Sequence, residues 1–315
     1  MRIGLIDVDG HNFPNLPLMK LSAWHKKQGD HVEWYEPLLS GHMDRVYMSK
    51  VFSFTQDYEY HVDADDVRKG GTGYCITLGD DGKEHFDGSR HQDLPYEIEH
   101  IYPDYEIYYN TIPEVRHTAY GFMSRGCPRG CEFCHVKGKE GMVSHKVADL
   151  SEFWAGQKDI ELMDPNPIAC REWKDILGQL IESKARVNFN QGLDIRMMTE
   201  EKAEMLRKVR IKNLHFAWDR YEDKDIILPR LRMFRDITGF DRHKITVYML
   251  CNFGSTFEQD LERAYTLRDL GCQPYVMLYD KEHIPRGHKL RRLQRWCNSP
   301  SIFNTVEKFE DYKKK

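Results

Sequence analysis

Cys127, Cys131 and Cys134 lie in one short segment, Cys127-Pro128-Arg129-Gly130-Cys131-Glu132-Phe133-Cys134, at C-x3-C-x2-C spacing with no fourth cysteine nearby. An iron–sulfur cluster is normally held by four thiolates. Three thiolates on a four-iron cube leave one iron with an open coordination site, and an open metal site is where chemistry occurs, whereas closed sites are usually structural. Gly126 and Gly130 let the backbone approach the sulfurs closely. Arg125, Arg129 and Lys137 are cations beside the three thiols and favour their deprotonated form. The rival is a structural zinc site with His135 as fourth ligand. Adjacent Cys134 and His135 strain tetrahedral chelation, and no second ligand pair follows, so the spacing favours the cluster.

With Phe133 just before the last cysteine, the loop resembles the signature of the radical S-adenosylmethionine superfamily, and the resemblance extends over residues 118–279. It implies a [4Fe-4S] cluster on Cys127, Cys131 and Cys134, whose open iron chelates S-adenosylmethionine and whose electron cleaves it to methionine and a 5′-deoxyadenosyl radical that abstracts hydrogen from a substrate. A low-potential electron donor such as flavodoxin or ferredoxin is then a required partner. The resemblance also directs attention to strand ends. Asp164 and Asn166 stand where the family binds the methionine amino group, although the family's glycine pair is absent. Asn190, Gln191 and Asp194 are candidates for the ribose, and Arg196 for the carboxylate through a bidentate fork. Asn252, Gly254 and Ser255 resemble the glycine-containing strand end near the adenine, and Ser255 or Thr256 equally suits a helix N-cap. His215 and Asp219 are further strand-end groups, and a lone His is more often a hydrogen-bonded core residue.

The elements that must position these residues read as alternating strands and helices. Strands are expected at 119–123, 159–163, 186–190, 213–218, 245–251 and 273–279, with helices at 172–183, 200–209, 225–237 and 257–270. Six such strands imply a partial (β/α)6 barrel with its chemistry at the carboxyl ends of the strands. Before it, strands at 2–8, 31–35 and 45–54, a helix at 16–27 and a turn at 70–73 imply a small Rossmann-like α/β domain. The polar, Tyr-rich stretch 79–112 reads as connecting structure. The expected organisation is 1–112, 113–280 and a helical extension 281–315.

Asp9-Gly10-His11 after the first strand, Ser53 and Gly70-Gly71 resemble a cobalamin-binding domain, in which such a histidine replaces the cofactor's lower ligand; here Pro14 occupies the glycine position, and a degenerate domain shaping the substrate entrance is the preferred reading. With cobalamin, methyl transfer becomes an outcome; without it, rearrangement, oxidation and sulfur insertion stay open. Cys75, Cys170, Cys251, Cys272 and Cys297 form no C-x2-C pair; core packing is preferred over an auxiliary cluster.

The chain has 315 residues, 40% hydrophobic and 12% aromatic, enough for a substantial core. Its net charge of −4 displays no global basic field for nucleic acid. No apolar run approaches a membrane span, and the N-terminus lacks a signal-peptide pattern, so a cytoplasmic protein with reduced or metal-bound cysteines is expected. The basic stretch 288–296 supports an amphipathic helix more than an RNA contact, Lys313-Lys314-Lys315 reads as a solvated tail, and a non-catalytic cluster or RNA-binding regulatory module is the rival function.

Overall fold

The computed structural model describes residues 1–79 and 84–312, and the Lys313-Lys314-Lys315 tail lies outside them. The chain divides into two compact units, Met1–Glu161 and Leu162–Lys315.

In the first unit, β1 (Arg2–Asp7), β2 (His31–Trp34), β3 (Met43–Ser49) and β4 (Ala64–Gly70) pair in parallel in the order β2-β1-β3-β4. Only glycine fits at position 4, because a Cβ there would stand 2.9 Å from Val46 Cγ2. The helix α1 (Leu16–Lys27) begins where the Asn15 side chain accepts from the Leu18 amide, and its last turn carries His25, Lys26 and Lys27 at the carbonyl end. Leu18 and Leu21 of this helix pack with Ile3 and Leu5. The strand expected over 45–54 stops at Ser49. Beyond it the Asp9 carboxylate accepts from the Val51 amide at 2.6 Å and the Thr55 hydroxyl at 2.6 Å, turning the chain out of the sheet.

The unit continues through α2 (Thr72–Cys75), the antiparallel pair β5 (Ile76–Leu78) and β6 (Glu84–Phe86), and α3 (Tyr96–Glu99). The Tyr-rich segment is more than a connection. Tyr105 and Tyr108 are buried, with hydroxyls donating to the Phe153 carbonyl at 2.8 Å and to Asp7 Oδ2 at 2.6 Å. Next come β7 (Thr118–Gly121), β8 (Ser124–Arg125), α4 (Val136–Lys139), β9 (His145–Lys146) and β10 (Asp159–Leu162), in which the boundary between the units falls.

The second unit alternates α5 (Trp173–Ser183), β11 (Arg186–Phe189), α6 (Glu200–Lys208), β12 (Ile211–Ala217), α7 (Lys224–Thr238), β13 (Ile245–Cys251), α8 (Phe257–Asp269) and β14 (Gln273–Leu278). β11 to β14 pair in parallel throughout, in the order β14-β13-β12-β11. Parallel order follows because each strand returns through a helix. In β12, Leu214 and Phe216 are buried, Phe216 against Phe234 of α7, while His215 between them lies on the opposite face. The chain is thus an α/β protein built on parallel sheets.

After β14, α9 (Lys289–Cys297) buries Leu290, Leu293, Trp296 and Cys297, and α10 (Pro300–Thr305) follows. Two of the three arginines of α9 are engaged within the chain: Arg291 donates to the carbonyls of Ile284 and Lys281, and Arg292 to that of Tyr312. This is the amphipathic packing helix expected for 288–296. Among the described residues no helix is long and apolar enough to cross a membrane.

Candidate functional site

The three cysteines share one excursion, residues 126–144, closed at its base by the antiparallel pairing of Ser124 with Lys146 and Arg125 with His145. One carboxylate organises the entrance. Glu140 accepts from Arg125 Nη1 at 3.0 Å and from the Gly126 amide at 3.1 Å, and the Arg125 guanidinium lies 3.4 Å over the Phe122 ring. The Cys127 amide donates to the Gly141 carbonyl at 3.2 Å, and the Cys134 amide to the Cys131 carbonyl at 3.1 Å.

Glycine is required at position 126 and favoured by the backbone conformation at 130. Gly126 has φ +82, and a Cβ would lie 2.1 Å from the Val143 carbonyl oxygen; Gly130 has φ +58, and a Cβ would meet Met142 Cε at 2.7 Å. Lys139 is partly buried beside Arg125, and desolvation first, then that cation, depress its pKa. All three cysteines are partly exposed and outside any disulfide. His135, the fourth ligand of the zinc alternative, has its Nε2 3.2 Å from Glu84 Oε2. Among the described residues no three His, Cys, Asp or Glu side chains converge on a single ion. Three accessible thiols on a glycine-cradled loop beside cations fit a cluster.

The sheet end of the first unit carries the residues read against a cobalamin motif. Asp9 is engaged by Val51 and Thr55. His11 Nδ1 instead lies 3.7 Å from Asp7 Oδ2, with the ring held edge-on between Trp34 and Tyr108. Asp7 Oδ1 is buried without a hydrogen-bond partner, and burial raises the carboxyl's pKa against the opposing Tyr108 hydrogen bond. Ser53 donates to Glu84. At Gly71, φ +100, a Cβ would strike the Lys50 carbonyl oxygen at 2.3 Å.

In the second unit, Asp164 and Asn166 are buried after β10. Asn166 Oδ1 accepts from the Asp194 amide at 3.3 Å, bringing two expected residues together. The Asp194 side chain accepts from the Arg196 amide at 3.0 Å and Nε at 2.8 Å. Arg196 Nη1 donates to Asp223 Oδ2 at 2.6 Å, so a prong of the fork expected for a cofactor carboxylate is held by the chain's own acid. Asn190 and Gln191 are exposed, and the Asn190 amide donates to the Leu162 carbonyl at 3.0 Å.

At the end of β13, Asn252 has φ +65 and donates through Nδ2 to the Tyr279 carbonyl at 3.2 Å. Gly254 has φ +69 with open space around it. Thr256 takes the N-cap, with a reciprocal hydrogen bond from Gln259. Ser255 donates to Asp260 Oδ1 at 2.6 Å, and the Asn252 amide to Asp260 Oδ2 at 3.3 Å. Asp260, Arg263 and Asp223 were not legible as site residues; the only sequence signal was an Asp–Arg pair three apart on a helix.

His215 Nδ1 is bonded to the Phe189 carbonyl at 2.9 Å and its ring stacks on Tyr248 at 5.0 Å. Asp219 is half-buried with its Oδ1 buried and lacking a hydrogen-bond partner, and desolvation pushes its pKa up to about 6 against the Leu250 backbone hydrogen bond and the charges of Arg263 and Arg196. Cys75, Cys170, Cys251, Cys272 and Cys297 are buried, and burial raises the pKa of each thiol.

No family model matches the chain, and no curated protein matches it. Among solved structures it is similar to the radical S-adenosylmethionine methyltransferase TsrM from Kitasatospora setae, solved with cobalamin and a [4Fe-4S] cluster bound. The likeness has a TM-score of 0.62 at 13% identity and covers 88% of this chain and 74% of that one. At that identity it is a likeness of fold.

Proposed function

We propose that this chain is a radical S-adenosylmethionine enzyme with a partial (β/α)6 barrel, in which Cys127, Cys131 and Cys134 hold a [4Fe-4S] cluster. The observation that carries the reading is the loop itself: three partly exposed cysteines on a backbone that admits no side chain at Gly126. The likeness of fold to TsrM supports it. When bound, a cluster with one open iron supplies the electron that splits S-adenosylmethionine into methionine and a 5′-deoxyadenosyl radical. The chain's part is to position and to exclude water. Asn166 and Asp194, joined by a hydrogen bond, would orient the cofactor's polar groups, and Arg196, held through Nε by Asp194 and through Nη1 by Asp223, would receive the cofactor's carboxylate by exchanging one of these acids for it. Asn252, Gly254 and Ser255, set by Asp260, offer backbone to the base. Anaerobic reconstitution should give about four irons and four sulfides per chain, and 5′-deoxyadenosine with dithionite. Cys134→Ala should abolish that product. A colourless protein with stoichiometric zinc, or substantial 5′-deoxyadenosine from Cys134→Ala, would sink the reading.

A second reading adds cobalamin and a methyl-transfer outcome. The observation favouring it is His11, whose Nδ1 faces the buried Asp7 as a metal-ligating histidine faces its supporting carboxylate. Pro14 in the glycine position and the engagement of Asp9 by Val51 and Thr55 weigh against it, and the cobalamin-free enzyme is preferred. Anaerobic purification with hydroxocobalamin supplied discriminates: stoichiometric cobalt overturns the preference, and its absence removes the second reading.

A further inference from the structure

We propose that the amino ends of β11, β12 and β13 form a binding surface for the phosphate backbone of a double-helical nucleic acid, apart from the site at the carboxyl ends of the same strands. The segments that open these strands, 184–186, 207–212 and 242–244, hold eight Lys and Arg and no Asp or Glu, in a chain whose net charge is −4. The sheet brings them side by side. The Val187 amide donates to the Arg210 carbonyl at 2.9 Å, and the Leu214 amide to the Lys244 carbonyl at 2.8 Å. Neighbouring strands lie about 4.8 Å apart, so three strand starts span roughly 10 Å. Lys184, Lys208, Arg210 and Arg242 are exposed and form no ion pair with a described residue. The other four are engaged within the chain: Arg207 with Glu204 at 3.2 Å, Lys244 with its ammonium 4.4 Å from the centre of the Phe240 ring, and Arg186 and Lys212 likewise. Of the nearby acids, Asp241 accepts from the His243 amide at 3.0 Å, and Glu182 is exposed two residues before Lys184.

Helix ends do not account for all of these charges. Lys208 stands in the last turn of α6, where a cation complements the helix dipole. Arg210 lies beyond that helix, and Arg242 lies three residues past Gly239, the left-handed cap of α7. Lys184 caps α5 at φ +55, a conformation that favours glycine, yet a lysine stands there. Composition selects the partner. Among the described residues, none of the exposed large apolar side chains belongs to these three segments. Docked proteins and membrane surfaces engage such side chains, and single strands stack on exposed aromatics. Exposed cations without an aromatic suit a phosphate backbone, held by charge without reading the bases. The basic stretch 288–296 lacks this property, because Arg291 and Arg292 are bonded to the chain's own carbonyls. With 7 residues in β12, the surface stands roughly 20 Å from the strand end that carries Asp219.

The surface is independent of the cluster, and the test is binding. Fluorescence anisotropy of the full chain is followed with a labelled RNA duplex of two helical turns, the same duplex in DNA, and vesicles containing phosphatidylserine. One or both duplexes should bind, with log K falling against log salt at a slope of about −3 to −4, as four neutralised phosphates require. Arg210→Ala should weaken binding several-fold and reduce the slope by about 1. Lys184→Gly separates the surface from a structural role, because glycine accepts the left-handed backbone: the variant should be at least as stable to denaturant as wild type, yet bind the duplex more weakly. Arg286→Ala removes an exposed cation elsewhere and should leave the affinity unchanged. No binding to either duplex at low salt, a salt-independent affinity, an equal loss in Arg286→Ala, or wild-type affinity in both Arg210→Ala and Lys184→Gly would overturn the proposal. Tighter binding to the vesicles than to either duplex would overturn it as well, assigning these cations to a membrane surface.

Discussion

Asp260 and Arg263 form a wholly buried ion pair, Oδ1 to Nη2 at 2.5 Å, three residues apart on α8. Asp260 reaches outward to the Asn252 amide and the Ser255 hydroxyl, while Arg263 donates to the carbonyls of Trp218, Asp219 and Leu250. One helix therefore ties the ends of β12 and β13 and the loop proposed to meet the adenine. Removing one partner of such a pair leaves the other charge buried and uncompensated, at about 3–5 kcal/mol. Arg263→Met should cost that much in a denaturant titration, with three carbonyls losing their donor. Arg263→Lys, which keeps the charge but not the planar fork, should cost less. Wild-type stability for Arg263→Met would show that the pair does not hold the strand ends.

Gly126 offers a sharper test of the cysteine loop than the cysteines do, because alanine there removes no ligand. Its φ of +82 disfavours any side chain, and the obstructing atom is the backbone oxygen of Val143, which cannot rotate away. Gly126→Ala should therefore lower the iron bound on reconstitution to less than half. Gly178 is the control: it lies within α5, and a Cβ there would meet nothing within 4 Å, so Gly178→Ala should stabilise the chain by roughly 0.5–1 kcal/mol and leave the iron unchanged. Full iron in Gly126→Ala would mean the loop does not depend on that conformation.

Helix α1 (Leu16–Lys27) and strand β13 (Ile245–Cys251) were legible residue for residue, because each pairs a strong apolar pattern with a cap or turn. Strand β4 was not. Its sequence Ala-Asp-Asp-Val-Arg-Lys-Gly is polar and largely exposed, because an edge strand beside β3 has little core to face. The pair β8–β9 is two residues per strand, too short for any periodicity. At the site, the cysteine spacing announced itself because its ligands are local. Asp223 and Arg263 reach Arg196 and Trp218 across 27 and 45 residues, and no local pattern records such a contact.

Asp219 supplies the pH prediction. Burial raises its pKa from an ordinary 3.8 to about 6, so the folded chain holds a proton that the unfolded chain releases earlier. Below about pH 4 both states are protonated and the group costs nothing; between about 4 and 6 the unfolded chain ionises first and stability falls; above 6 the full penalty remains. A shift of about two pKa units corresponds to roughly 3 kcal/mol. Asp219→Asn keeps the shape and removes the ionisation. It should stabilise the metal-free chain by up to about 3 kcal/mol at pH 7.5 and by almost nothing at pH 4. Denaturant titrations of both proteins at the two pH values check this. An equal difference at both would mean that the carboxyl is not held protonated by burial, and that the substitution acts only through shape.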